Sequence, residues 1–80
     1  KVYIDVIRIT YMKEFVLMFD IPREEHKVEV KVWRDLNKLG AKMVQHSVWK
    51  SGKLQDLIEL ATLIKKSGGQ AAILEEKLVF

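Results

Sequence analysis

The pattern of apolar and polar positions divides the chain into candidate strands and helices. Apolar, β-branched and aromatic residues dominate residues 1–11, and a continuous apolar run from Phe15 to Phe19 follows, with the length of a buried strand. Pro22 ends this strand after Asp20, because proline lacks the N–H group that a central strand donates. The pattern therefore predicts an N-terminal strand and a first core strand over residues 14–20.

Two helices are predicted after Pro22. Apolar residues recur at helical spacing over residues 24–39 and again from Leu54 to Ile64, and glycines follow both segments. Between them, residues 41–50 hold strand-forming side chains around a polar centre, Gln45 to Ser47, which indicates two short strands or one kinked strand. Residues 70–74 give a final core strand, and residues 75–80 form a tail that could pair with a partner chain.

From residue 14 onward the order is strand, helix, strand, strand, helix, strand. This order predicts an α+β, ferredoxin-like βαββαβ domain: an antiparallel sheet with two helices on one face. Residues 1–13 would form an extra N-terminal strand or the remnant of an upstream segment, and residues 14–80 the ferredoxin-like domain. The other sheet face would lack a cover, so we expect a homodimer formed sheet against sheet.

The length and composition of the chain restrict its domain number and the kinds of site that it can hold. Eighty residues fit one domain, and the absence of cysteine excludes disulfides and thiolate metal sites. Fourteen basic against 11 acidic residues give a net charge of +3, which permits contact with polyanions. The apolar runs are too short to span a bilayer, so we expect a cytoplasmic protein with no membrane partner. The sequence contains no glycine-rich phosphate loop, so it gives no support for a nucleotide cofactor.

Two motifs carry a family resemblance. Phe15-Val16-Leu17-Met18-Phe19-Asp20-Ile21-Pro22 is followed, after one helix, by Gly40-Ala41-Lys42-Met43-Val44-Gln45-His46-Ser47-Val48-Trp49. This order resembles the CRISPR-associated Cas-two family, whose members have an apolar strand ending in aromatic-Asp-Ile, then a basic helix, then Val-Gln, a variable residue and Ser-Val-aromatic. The sequence departs from the family where acidic residues follow Arg23 and where Lys50-Ser51-Gly52 replaces the usual Glu-Gly.

The resemblance implies a homodimer whose strand-end aspartates face each other across the interface. Family members act with an integrase partner in spacer acquisition, and several are metal-dependent endonucleases on RNA or DNA. Asp20 is the one residue that the resemblance marks as catalytic and as a ligand for Mg²⁺ or Mn²⁺. The same motifs also resemble the C-terminal domain of phenylacetate-type transcriptional repressors, which implies a non-catalytic dimerisation domain. A third hypothesis for the function is a toxin-type ribonuclease of this fold.

Asp20 and the first helix hold the candidate chemistry. The Asp20 carboxylate could bind a divalent cation together with its symmetry mate, or could cap the turn that follows it. Four cations at helical spacing form a stripe: Lys27, Lys31, Arg34 and Lys38. Together with Arg23 and Lys42 they are the candidate nucleic-acid-binding residues. The residues alone favour a solvated face, on which Glu24, Glu29 and Asp35 pair with several of these cations.

The remaining polar and aromatic candidates favour structural roles. For His26 and His46 we expect surface or hydrogen-bonding roles rather than metal ligation. Trp33 and Trp49 could stack on bases, but packing in the core or in a dimer is the preferred interpretation. We expect Ser47 to hydrogen-bond the backbone at a strand bend.

Overall fold

The computed structural model describes residues 13–76 and forms a small α+β domain. Its elements are β1 (Glu14–Asp20), a 3₁₀ turn (Arg23–Glu25), α1 (His26–Lys38), β2 (Lys42–Gln45), β3 (Val48–Ser51), α2 (Leu54–Lys66) and β4 (Gln70–Glu76). The extra strand predicted for residues 1–13 lies, apart from Lys13, outside the described residues, as does the tail beyond Glu76. None of the helices in this described part is long and apolar enough to cross a membrane.

The four strands form one antiparallel sheet in the order β2-β3-β1-β4. β1 lies in the interior, with Leu17 paired to Trp49 of β3 on one side and to Ile73 of β4 on the other. The predicted α+β class with four core strands and two helices is confirmed for the described residues. The arrangement is compatible with a ferredoxin-like fold.

The core lies between the sheet and the two helices. Its buried side chains come from every layer: Leu17, Val32, Leu36, Trp49, Leu57, Leu60, Ala61 and Ile64. Leu17 and Trp49 point to the same side because directly paired residues in an antiparallel sheet share a face. Both helices therefore pack on the face of the sheet that carries Leu17, as their apolar spacing predicts.

The ends of the helices follow local chemistry. α1 ends before Gly40, whose φ of 77° is accessible to glycine at little cost, and the Ala41 N–H donates to the Leu36 carbonyl at 2.9 Å. Its start differs from the prediction: residues 23–25 form a 3₁₀ turn, and the α-helix begins at His26 rather than at residue 24. Glu25 interrupts the helix because its ψ of 45° lies outside the helical region.

The segment between the helices forms two strands, not one kinked strand. β2 and β3 are joined by a turn at His46 and Ser47, and the register shifts between Met43 and Gln45. Such a shift is a β-bulge, which bends the strand at the edge of the sheet. The last strand is longer than predicted and continues to Glu76.

Truncating a fully buried leucine is expected to destabilise so small a core strongly. Leu36 is 0% exposed, so Leu36→Ala should lower the free energy of unfolding by about 3 kcal/mol and Tm by roughly 15 °C. Leu54→Ala removes the same atoms from a side chain that is 37% exposed and serves as the matched control. Thermal and urea unfolding measure both variants, and equal losses would contradict the assigned core.

Candidate functional site

Asp20 occupies the last position of β1, beside the start of β4. It pairs with Gln70, and the backbone of Gly69 passes directly against the Asp20 carbonyl. A Cβ atom at Gly69 would collide with that carbonyl and would lie 2.9 Å from Cγ2 of Ile64. Glycine at position 69 therefore allows β4 to begin tightly against the end of β1, which fixes the backbone that carries Asp20.

The Asp20 side chain is exposed. Within residues 13–76 no hydrogen bond or ion pair involves its carboxylate. The following turn is closed instead by the backbone, with the Glu25 N–H donating to the Pro22 carbonyl at 2.9 Å. The capping interpretation of Asp20 is therefore not supported, and neither carboxylate oxygen is bonded to a group of the described residues.

The turn between β2 and β3 lies beside the same end of β1. The Phe19 N–H donates to the Ser47 carbonyl at 3.0 Å, which continues the pairing of Met18 with Val48. Two indole groups secure the turn from the other side: Nε1 of Trp33 and Nε1 of Trp49 donate to the His46 carbonyl at 3.2 and 2.9 Å. The backbone around Asp20 is thus held by β4 on one side and by this turn on the other.

Alternation along the strands defines an open sheet face, the one opposite the helices. It carries an apolar centre formed by Val16, Met18, Val48, Ala72 and Leu74. Two of these side chains are unusually exposed for their size, with Met18 at 42% and Leu74 at 55%. Asp20 and Gln70 share this face at one end of the apolar centre, because both continue the same alternation.

An ion pair occupies the other end of the open sheet face. Lys50 Nζ donates to Glu76 Oε2 at 2.9 Å. This hydrogen bond, and then the charge of the carboxylate, raise the pKa of Lys50, and the same hydrogen bond lowers the pKa of Glu76. The stabilisation from Glu76 is lost as the pH falls through its folded pKa, and that from Lys50 is lost as the pH rises through its own.

The candidate cations do not form one surface. Lys27, Lys31, Arg34 and Lys38 all lie exposed on α1, on the side away from the buried Val32 and Leu36. Arg23 lies in the 3₁₀ turn that leads into this helix. Lys42 is paired with Lys50 across β2 and β3, so it belongs to the open sheet face rather than to the stripe.

The predicted neutralisation of this helical stripe is only partly present. Lys31 Nζ contacts Asp35 Oδ2 at 2.9 Å, whereas Glu29 contacts Nδ1 of His26 at 3.4 Å instead of a lysine. Among the described residues, Lys27, Arg34 and Lys38 make no ion pair. Three of the four cations therefore have no acidic partner within residues 13–76.

A groove between the helices was not foreseen from the sequence. It has a volume of about 550 Å³, with an apolar floor of Leu39, Leu60 and Leu63. Its rims carry charges of both signs, Lys31, Lys38 and Lys53 together with Asp35, Asp56 and Glu59. The sequence contains no local signal for it, because its two walls are distant in the chain and meet only after the helices pack.

The metal prediction depends on a second copy of the chain. Within residues 13–76 no group of three or more histidine, aspartate or glutamate side chains is placed to hold a metal ion. Asp20 brings one carboxylate, and Gln70 brings an amide oxygen on the same face. Oxygen ligands of these two kinds suit Mg²⁺ and Mn²⁺. Pairing two copies through the open sheet face would double this set.

Comparison with known proteins gives no family assignment. No protein-family model matches the sequence, and no curated protein matches it either. Function must therefore be inferred from the side chains of the open sheet face and of α1.

Proposed function

We propose that this chain forms a ferredoxin-like homodimer of the Cas-two type that binds nucleic acid and acts in spacer acquisition. The observation that carries the proposal is the open sheet face, where an apolar centre ends at an Asp20 carboxylate that has no partner among residues 13–76. The two motifs support it. Residues 15–20 of the first motif lie in β1, and residues 45–49 of the second form the end of β2, the turn and the start of β3. In this proposal the second copy covers the apolar centre.

A two-fold axis through the open sheet face would make the interface self-complementary. In such an interface a residue near the axis meets its own copy. Met18 and Val48 lie in adjacent strands at the middle of the apolar centre and would be the first side chains buried. Asp20 is two residues from Met18 on the same face, so the two carboxylates would lie near the seam between the copies.

The proposed cofactor is Mg²⁺ or Mn²⁺, which the Asp20 carboxylates of the two copies would hold. When bound, such an ion would supply Lewis-acid chemistry for hydrolysis of a phosphodiester bond. The protein's part is to hold Asp20 rigidly, through Gly69 on one side and the Ser47 carbonyl on the other. The substrate would be RNA or DNA, and an integrase subunit would be the further partner.

Nucleic-acid binding is assigned to the stripe on α1. Lys27 and Arg34 are seven residues apart, which places them about 10 Å apart along the helix axis and on nearly the same line. Neither has an ion-pair partner within the described residues. They can therefore contact two phosphates of one strand, and displaced counterions would make the binding weaken steeply with salt.

Charge reversal on α1 tests this assignment. A Lys27→Glu/Arg34→Glu variant should bind a fluorescently labelled oligonucleotide at least tenfold more weakly at low salt, because two phosphate contacts become repulsive. Lys65→Glu/Lys66→Glu makes the same change of net charge in the last turn of α2 and is the control. Fluorescence anisotropy over a salt series measures both variants. Equal losses, or binding that does not depend on salt, would contradict the proposed surface.

A further inference from the structure

Trp33 of α1 and His46 of the turn between β2 and β3 form an aromatic pair. Trp33 is half-buried and His46 is exposed, and their ring centroids are 5.6 Å apart with the planes inclined by 46°. The indole N–H of Trp33 already donates to the His46 carbonyl. The orientation of this ring is therefore fixed, so a ligand that stacks on it would not have to order the side chain first.

Two aromatic side chains and two cations of α1 follow parallel lines along the helix. Trp33 precedes Arg34 directly, and His26 stands seven residues before Trp33, as Lys27 does before Arg34. Residues seven apart return to nearly the same line after two turns. One line therefore offers rings, and the neighbouring line offers positive charges without ion-pair partners among the described residues.

From this juxtaposition we infer that α1 binds single-stranded nucleic acid, with an unpaired base stacked on Trp33 beside His46 and the adjoining phosphates on Arg34 and Lys27. The inference rests on the proposed nucleic-acid binding and specifies its substrate class. Rings next to cations suit a single strand, because its bases can leave their neighbours and lie on an aromatic side chain. In a duplex the bases are paired and stacked on one another, so only their edges and the phosphates are accessible and no base face can lie on Trp33.

Oligonucleotides that differ only in their bases test the inference. The parent protein is titrated at low salt with a labelled single strand, with a strand of equal length and charge in which abasic sites replace the bases, and with a duplex. We expect binding of the abasic strand to be roughly tenfold weaker, which corresponds to the loss of one stacked base. Tryptophan emission should change with the base-carrying strand and stay constant with the abasic one.

A Trp33→Leu variant keeps an apolar side chain at this position and removes the ring. It should bind the base-carrying and abasic strands equally, while the salt dependence of binding stays that of the parent because the cations are intact. His46→Ala, at an exposed position, should reduce the preference for bases in the same direction. Circular dichroism and thermal unfolding show whether both variants remain folded.

The outcomes separate this inference from the proposed function. If the parent protein binds the abasic strand or the duplex as tightly as the single strand, base stacking is refuted while nucleic-acid binding stands. If none of the three ligands binds at low salt, nucleic-acid binding is refuted and the stacking site with it. The parent comparison decides the matter even if Trp33→Leu does not fold.

Discussion

Replacing Met18 with lysine is expected to convert the proposed dimer into monomers. Met18 is 42% exposed at the middle of the open sheet face, and the proposed two-fold axis would bury both copies of it. Burying an ammonium group without a partner costs several kcal/mol. Each dimer interface would contain two such groups, one from each copy. We therefore expect the dissociation constant of the dimer to rise at least 100-fold, which corresponds to about 3 kcal/mol.

Met43→Lys is the matched control for this change. Met43 is 56% exposed and also lies on a strand, but it pairs with Trp49 and so belongs to the helix side of the sheet, at its edge. Sedimentation velocity over a concentration series should give monomers for Met18→Lys and the parent distribution for Met43→Lys. An unchanged dimer in Met18→Lys, or a monomeric parent, would contradict the proposed interface.

Asp20→Asn is expected to abolish any metal-dependent cleavage. The amide keeps the shape of the side chain but removes the charge that binds a divalent cation, so we expect the cleavage rate to fall by at least 100-fold. Asp56→Asn removes an exposed carboxylate from α2 and is the control. Cleavage of labelled RNA and DNA with Mg²⁺ or Mn²⁺ measures the rates, and sedimentation confirms that both variants keep the parent's assembly.

Two outcomes would reject the catalytic role of Asp20. The first is an Asp20→Asn variant that cleaves as fast as the parent. The second is a parent dimer that cleaves neither RNA nor DNA with either ion. The second outcome would favour a non-catalytic dimerisation domain, as in a transcriptional regulator, because the open sheet face would serve that role without Asp20.

Most of the secondary structure could be predicted because its signals are local. The apolar run of β1, the helical spacing of α2 and the glycine after α1 each depend on a few neighbouring residues. The turn at His46 and Ser47 could not be distinguished from a kinked strand. It contains no glycine, and the two indole groups that hold it come from α1 and β3, so only the folded molecule reveals them.

The candidate site was predictable in part for the same reason. Helical periodicity is enough to align Lys27 with Arg34, and the end of an apolar strand is enough to mark Asp20. Strand register is not readable in this way, and it is register that places Lys42 opposite Lys50, away from α1. The prediction that Glu29 forms an ion pair with a cation of the stripe was also wrong. Glu29 is three residues from His26 and contacts it instead of a lysine.

Cross-linking at position 20 tests the proposed seam most directly. The chain contains no cysteine, so Asp20→Cys introduces a single reporter thiol, and Thr62→Cys places a control thiol on the exposed side of α2. A short bifunctional maleimide should link Asp20→Cys into covalent dimers at protein concentrations at which Thr62→Cys stays uncoupled. Equal coupling of the two variants, or none at position 20 in a sample that sediments as a dimer, would contradict the proposed interface.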